Sequence, residues 1–493
     1  MITTKDNFGI DFGTTCSAMT NNRLDNKNKY DMKHYGDENN KPIPSVVAID
    51  KKTGKVYTGR SAWKKKNELN DSCEVFPSIK TIIDSGRGRY IADKYWTPID
   101  IASEIFKALK HEAKEKKSNL SEATVAIPVG FSAQKRRSLR EAARRAGIKI
   151  TAFISEPTAA FFANYDELKS ASVVAVFDWG GGTLDVSVLQ NDNGRITELA
   201  TGGRSVAGDA IDEKIARRIY AKISRKKGFT QSFDELDSKV KDKLLIEAEA
   251  AKIELSEEEE ADVVFFFDGK VITETLGYDW FEDIVAPEVE MALECLEKTI
   301  EHSRLNLANI DRILLVGGSS NLRPLLGRME EKYGEKLYCP EETEWNVGEG
   351  AAKLMSHPGE YLSAQSIGIV LADKVVKTDV GKEPKLIESH FEMLAKGTVL
   401  KDWKKTFHFG IVDTSKEAQF VFCGSDDIDE MRDKGKTLSV PAYSFLQEKI
   451  IAEASVDENG IFSVVAYSSM RPKEIQSVWE YDQLKSVYVL PKE

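Results

Sequence analysis

Residues 173–189 read VVAVFDWGGGTLDVSVL, and residues 8–19 read FGIDFGTTCSAM. Each is an apolar strand that ends in Asp, then an aromatic residue, a turn of glycine and threonine, and a second apolar strand. Asp11 and Asp178 hold the same place in the two copies. A design used twice in one chain is an internal repeat, and this one predicts two related lobes that face each other. A further buried strand, DRILLVGG at 311–318, also ends in glycines.

Glycine turns after strands suit phosphate, because backbone N–H groups without a side chain beside them can approach its oxygens closely. The turns are Gly13-Thr14-Thr15, Gly180-Gly181-Gly182-Thr183 and Gly317-Gly318. None carries the Gly-Lys-Ser/Thr of a P-loop, and none fits G-x-G-x-x-G at a strand-to-helix turn. One such turn reads equally well as a structural tight turn. Three of them, two in a repeated frame with Asp, read as a phosphate site. Asp11, Asp178 and Asp185 lie at strand ends beside these turns. Taken singly, each reads just as well as a strand-end cap. Clustered, they would repel polyphosphate unless a cation sat between them, and hard oxygen ligands with bound water are the Mg²⁺ pattern. A carboxylate beside a terminal phosphate can also orient or deprotonate water.

Outward from these turns, helical spacing predicts helices over 99–117, 132–147, 156–168, 208–225, 234–256 and 280–305, and a helix from about Pro324. Residues 123–129 and 262–275 read as strands, the latter turning around Asp268-Gly269. The run Glu257–Glu260 reads as a solvated helix end. After about residue 357 the helical period fades. Strand-like stretches follow at 365–371, 405–412, 418–423, 448–455 and 461–468, which predicts an all-β module beginning near His357-Pro358-Gly359.

The composition bounds the rest. The chain has 493 residues, 41% hydrophobic and 30% charged, with a formal net charge of −11. That balance argues against a nucleic-acid carrier, despite the basic stretch Lys135, Arg136, Arg137, Arg140, Arg144 and Arg145. Five scattered cysteines without a CxxC, and six dispersed histidines, argue against a disulfide framework and a zinc site. MITTKDNFGIDFG is not a secretory signal, and no apolar run is long enough to span a membrane. A cytoplasmic protein is the expectation.

The ordered set IDFGTT (10–15), FPSIK (76–80), AIPVGF (126–131), SEPTAAFFA (155–163), FDWGGGTLDVSVL (177–189) and LLVGGSSNLRPL (314–325) resembles the Hsp70 chaperone family of the actin/hexokinase ATPase superfamily. The resemblance implies an α/β fold: a two-lobed, actin-like nucleotide-binding domain of ribonuclease H-like repeats over 1–357, with lobes of about 1–175 and 176–357. An all-β, sandwich-like substrate-binding domain over 358–493 would follow, on the likeness of SIGIVL (366–371), MLAKGTVL (393–400) and ASVDENGIFSVVA (454–466). It implies ATP and ADP as ligands, with Mg²⁺ and K⁺, and slow ATP hydrolysis. Lys80, Glu156, Asp178 and Thr183 match the catalytic group around the γ-phosphate and its water. Gly13, Thr14 and Thr15 match the first phosphate turn, Gly181 and Gly182 the second, and Gly317, Gly318 and Ser319 the adenosine turn. Glu249, Lys252 and Ser256, in EAAKIELS, match the nucleoside-contacting helix. Asp11 and Asp185 match carboxylates of the Mg²⁺ and K⁺ shell, acting mostly through water. Pro128 and Arg136 match a relay that passes nucleotide state to the partner domain. Read from the residues alone, Lys80 would be a solvated lysine.

The chain departs from the family pattern in four places. Few residues follow the last matched hairpin, so a helical lid is expected to be absent. SHPGEYLSAQ (356–365) replaces the apolar, acid-flanked linker. Ala152 replaces an arginine that meets J-domain cochaperones, which puts that partner in doubt. Ile253 and Asn321 replace two arginines that sandwich the base, so weaker or less base-selective binding is expected. Partners implied are extended apolar client segments or one dedicated protein, and an exchange factor, with no nucleic acid and no membrane. Three readings stand: an ATP-dependent chaperone, a nucleotide-switched scaffold that docks one protein, and a small-molecule kinase, against which the β-module and the motif order argue.

Overall fold

The computed structural model describes residues 5–25, 29–37, 40–65, 72–267, 269–376, 385–411, 416–424, 437–444, 447–472 and 476–491. The chain divides into two compact units, Met1–Phe131 with Ser138–Pro358, and Ser132–Arg137 with Gly359–Glu493.

In the first unit each repeat anchors a mixed sheet. Strand Phe8–Phe12 runs antiparallel to Cys16–Leu24, with Asp11 opposite Ala18, and parallel to Glu122–Ile127, with Asp11 opposite Ala126. Lys149–Ser155 and Tyr30–His34 extend the sheet on either side. Strand Val173–Trp179 repeats the plan. It runs antiparallel to Leu184–Asp192 and parallel to Arg312–Val316, and the antiparallel register sets Asp178 opposite Asp185. Strand Arg195–Arg204 continues beside Leu184–Asp192. A parallel strand in the middle of a covered sheet must be apolar on both faces. Phe8, Ile10 and Phe12, and likewise Val174, Val176 and Phe177, are accordingly buried.

The helices cover these sheets. Pro98–Glu115 opens with a capping box: the Asp100 amide donates to Thr97 Oγ1 (3.2 Å) and the Thr97 amide to the Asp100 carboxylate (3.0 Å). Its apolar stripe, Ile101, Ile105 and Leu109, is buried. The helix expected over 156–168 is two pieces, Glu156–Ala163 and Tyr165–Leu168. Asn164 interrupts it, because its side-chain amide donates to Ala160 O (2.9 Å) and to Asn346 Oδ1 (2.7 Å). The acidic run at 257–260 is a turn rather than a helix end. The helix Ser238–Glu254 stops before it, and Glu260 begins a strand. Glu259 in that turn accepts from Arg323 (2.8 Å).

Helix Asn346–Ser356 was not legible in the sequence and closes the first sheet. It packs on strand Phe8–Phe12 and on helix Glu156–Ala163. Glycines permit this approach: a Cβ on Gly9 would lie 2.1 Å from the Ala352 amide nitrogen, and one on Gly350 1.8 Å from Ala159 O.

The second unit has two four-stranded sheets. One runs in the order Lys385–Leu394, Ile367–Val376, Glu417–Gly424, Leu438–Pro441, and the other Lys404–Gly410, Lys449–Val456, Phe462–Ser468, Ser477–Tyr481. Ile367, Ile369 and Phe422 from the first share one apolar cluster with Phe407, Phe462, Val464 and Trp479 from the second. The Phe422 and Trp479 rings stack at 3.7 Å. The 457–460 turn is held by Asp457 Oδ1, which accepts from the Asn459 and Ile461 amides, with Gly460 at φ +77°. Glu360–Ser363, in the stretch that replaces the expected linker, is a strand paired with Ser486–Val489.

Candidate functional site

The three glycine turns converge on one cavity of about 520 Å³ in the first unit. Ser45 holds the first turn, its amide donating to Thr15 O (2.7 Å) and its hydroxyl to Gly13 O (2.8 Å). The second turn closes on itself through the Gly180 amide and Thr183 O (3.0 Å). Ser319 of the third turn donates its hydroxyl to Gly180 O (2.8 Å). Gly317 has φ +83°, and a Cβ there would meet Asp178 Oδ1 at 2.6 Å, so both backbone and space require glycine.

Of the residues singled out in the sequence, Asp11, Gly13, Thr14, Thr15, Lys80, Pro128, Glu156, Asp178, Gly181, Gly182, Thr183 and Asp185 line this cavity, as do Glu249, Lys252, Ser256, Gly317, Gly318 and Ser319. Arg136 does not; it is half-buried on helix Ala133–Arg145. Ile253 and Asn321 also line the cavity. Asn321 donates its side-chain amide to Thr343 Oγ1 (2.8 Å), and Ile253 is 40% exposed.

Lys80 is not a solvated lysine. It is 5% exposed. Ser78, at φ 58°, turns the chain into a short 3₁₀ helix that carries the lysine inward. Its ammonium donates to Glu156 Oε1 (2.7 Å), the first residue of helix Glu156–Ala163. Burial pushes the Lys80 amine down, but the charges of Glu156 and Asp11 push it further up, and it is a cation. The acids around it are crowded. Burial, then the charge of Glu156, lifts Asp11 to about 7 against the pull of Lys80. Burial lifts Glu156 as well, again against Lys80. Asp178 is raised well above its ordinary value by burial and by Glu156, Asp11 and Asp185. Four carboxylates thus share one buried lysine, and the wall is short of positive charge. The carboxylate oxygens suit a hard cation better than a soft one.

Lys252 is 8% exposed and pairs with Asp212 (2.7 Å), while its neighbour Ser256 donates to Lys252 O (2.9 Å). A smaller cavity of about 340 Å³ lies against the same acids and shares Pro128, Glu156, Asp178 and Asp185 with the first.

Sequence reading missed several lining residues, among them Cys16, Lys41, Arg60, Asp209, Glu341 and Glu344. Only the Cys16 position, inside the first repeat, could have been found by its motif. It missed Glu198 too. That half-buried carboxylate accepts hydrogen bonds from Ser155 and Thr158, which flank Glu156 at the start of its helix. A β-bulge beside Glu198 turns the strand there.

The family model described as "Hsp70 protein" matches residues 87–354. Chaperone protein DnaK of Thermosipho africanus is 30% identical over 374 residues, covering 74% of this chain and 61% of that protein. DnaK of Mycoplasmopsis agalactiae is 28% identical over 379 residues, 74% of this chain and 60% of that protein. Chaperone protein HscA of Buchnera aphidicola is 29% identical over 374 residues, 71% of this chain and 70% of that protein. The matched region thus spans about 60% of the length of the two DnaK relatives.

Proposed function

The chain belongs to the Hsp70 family, and on that premise we propose that it is an ATP-dependent chaperone that hydrolyses ATP in the cleft of the first unit and grips protein clients with the second. The observation that carries the reading is the buried Lys80–Glu156 pair, set among Asp11, Asp178 and Asp185 at the mouths of three glycine turns.

The turns offer backbone N–H groups to the phosphates, with Gly13, Thr14 and Thr15 on one side and Gly181, Gly182 and Thr183 on the other. Gly317, Gly318 and Ser319, with Glu249, Lys252 and Ser256, hold the nucleoside. Lys80 supplies the fixed positive charge beside the γ-phosphate, where charge spreads over the transferring group. Glu156 fixes the lysine's direction. Asp178 accepts a hydrogen bond from the attacking water and orients it, as a carboxylate raised by burial among other acids can. Asp11 and Asp185 are the oxygens suited to Mg²⁺ and K⁺, which would neutralise phosphate charge when bound. Pro128, shared by the two cavities, is placed to sense the state of the acids, with Arg136 as its relay partner.

In this reading residues 1–357 are the nucleotide-binding domain and 358–493 the client-binding domain. An extended peptide added to a sheet edge would be held by main-chain hydrogen bonds. Clients, an exchange factor and the cytoplasm follow from family membership as expectations for the whole protein.

One observation favours a second reading, a nucleotide-switched scaffold docked on one protein. The stretch 356–365 stands where the family has a free linker, and here Glu360–Ser363 is tied into a strand pair with Ser486–Val489. Single-turnover ATP hydrolysis by the full chain, with and without an unfolded peptide, tests both. Stimulation of a few-fold by peptide is the expected result. Hydrolysis that ignores peptide would replace the chaperone reading with the scaffold, and no phosphate release without an added acceptor would overturn both.

A further inference from the structure

The nucleoside end of the cleft rests on a segment anchored far from any glycine turn. The Gly317 amide donates to Thr343 O (3.1 Å), and Asn321 donates its side-chain amide to Thr343 Oγ1 (2.8 Å). Thr343 thus holds both ends of the turn Gly317–Asn321. Its neighbours Glu341 and Glu344 line the cavity. On its other side the segment meets His34 of the first lobe, the last residue of strand Tyr30–His34. His34 Nε2 lies 2.8 Å from Glu349 Oε1, and Nδ1 lies 3.4 Å from Glu342 Oε2. Its ring lies flat on Trp345, with centroids 4.7 Å apart and planes 2° from parallel. Trp345 is itself buried.

We infer that His34 is a positioning residue for the nucleoside end of the cleft: it fixes the Glu342–Glu349 segment from which Thr343 holds the Gly317 turn. The inference rests on the proposed reading that a nucleotide binds there.

Both ring nitrogens face carboxylates. A neutral imidazole has one N–H and can satisfy only one of them, whereas the imidazolium satisfies both. The charged groups that face the ring are Glu349 on helix Asn346–Ser356, and Glu342 and Glu344 on the segment before it. The residue opposite on strand Cys16–Leu24 is Thr20, which is uncharged. Burial pushes the His34 ring down, but the hydrogen bond it donates to Glu349 and the charges of Glu349, Glu342 and Glu344 raise it above its usual value. A histidine raised in the folded state gives its full stabilisation below its unfolded value, and loses it as pH rises through the folded value. Nucleotide affinity therefore weakens as His34 deprotonates.

The test is titration of a fluorescent ADP analogue into the full chain and into His34→Gln between about pH 6 and about pH 9. Other acids in the cleft titrate in both proteins, so the difference between the two profiles reports His34. The expected result is a wild-type affinity that falls by about tenfold more over this range than that of the variant, the size of one charged hydrogen bond. Profiles that run parallel would overturn the inference while leaving nucleotide binding intact. Absence of binding by either protein at every pH would overturn the nucleotide reading, and the inference with it. Should His34→Gln fail to fold, Glu342→Gln keeps the ring, the stack and the Glu349 contact. It should reduce the pH span by about half, and an unchanged span would sink the proposal.

Discussion

The two repeats share a frame and differ in their turns. In the first, Gly13 is followed by Thr14 and Thr15; in the second, Gly180 is followed by Gly181 and Gly182. The difference is steric. A Cβ on Gly182 would lie 2.7 Å from Thr15 Oγ1, and one on Gly181 3.0 Å from Thr15 Cγ2. The turns meet face to face, and the threonines of one occupy the space that the glycines of the other leave empty. A duplicated motif that closes on itself cannot stay symmetric: the first copy supplies Thr14 and Thr15, and the second supplies room at Gly181 and Gly182 before its own Thr183. The paired aspartates diverge for a related reason. Asp178 faces Asp185 across its hairpin, whereas Asp11 faces Ala18. The second copy therefore concentrates the acid.

The comparison breaks most sharply at the aspartates. Asp178→Ala should slow single-turnover hydrolysis by about a hundredfold or more, the range of a lost general base, with nucleotide still bound. Asp11→Ala, at the same place in the other copy, should act mainly on nucleotide and cation affinity. Equal effects of the two on the rate would mean that the copies share one role. Lys80→Ala belongs beside these. It should abolish turnover without releasing nucleotide, and retained steady-state hydrolysis would reject its assignment.

The turns come next. Gly182→Ala forces a methyl group against Thr15 and should weaken nucleotide binding by about tenfold, in line with the usual cost of overpacking. Adding Thr15→Ala should recover most of that loss, because it removes the Oγ1 that the methyl would strike. If the double variant binds no better than Gly182→Ala alone, the two turns do not depend on each other's shape. The smallest effect should be that of Thr15→Ser, which keeps the hydroxyl and drops the methyl. Its affinity should stay within about twofold of wild type.

Both hairpins were legible because their signal is local: an apolar strand, an aspartate and a glycine turn lie within a few residues of each other. The cavity lining followed from them and from motif order. Lys80 was not legible by itself. Its burial depends on a left-handed Ser78 and on a partner, Glu156, that lies far along the chain. His34 and Glu198 were invisible for the same reason, since each is defined by contacts across the fold. Helix Asn346–Ser356 hid behind Gly348 and Gly350, which lower helix propensity; Gly350 is present because the backbone at Ala159 comes too close for a side chain. In the second unit, strands Lys385–Leu394, Leu438–Pro441 and Ser477–Tyr481 escaped notice, while Lys449–Val456 and Phe462–Ser468, which sustain the alternation of buried and open positions over 8 and 7 residues, did not.

That same helix sets a schedule for synthesis. The strand Phe8–Phe12 leaves the ribosome long before Gly348, Ala351 and Ala352, which complete the surface at Gly9. Synthesis in that direction must hold an uncovered apolar sheet until Ala352 has emerged. Contacts this distant in sequence slow folding and leave surfaces open to aggregation.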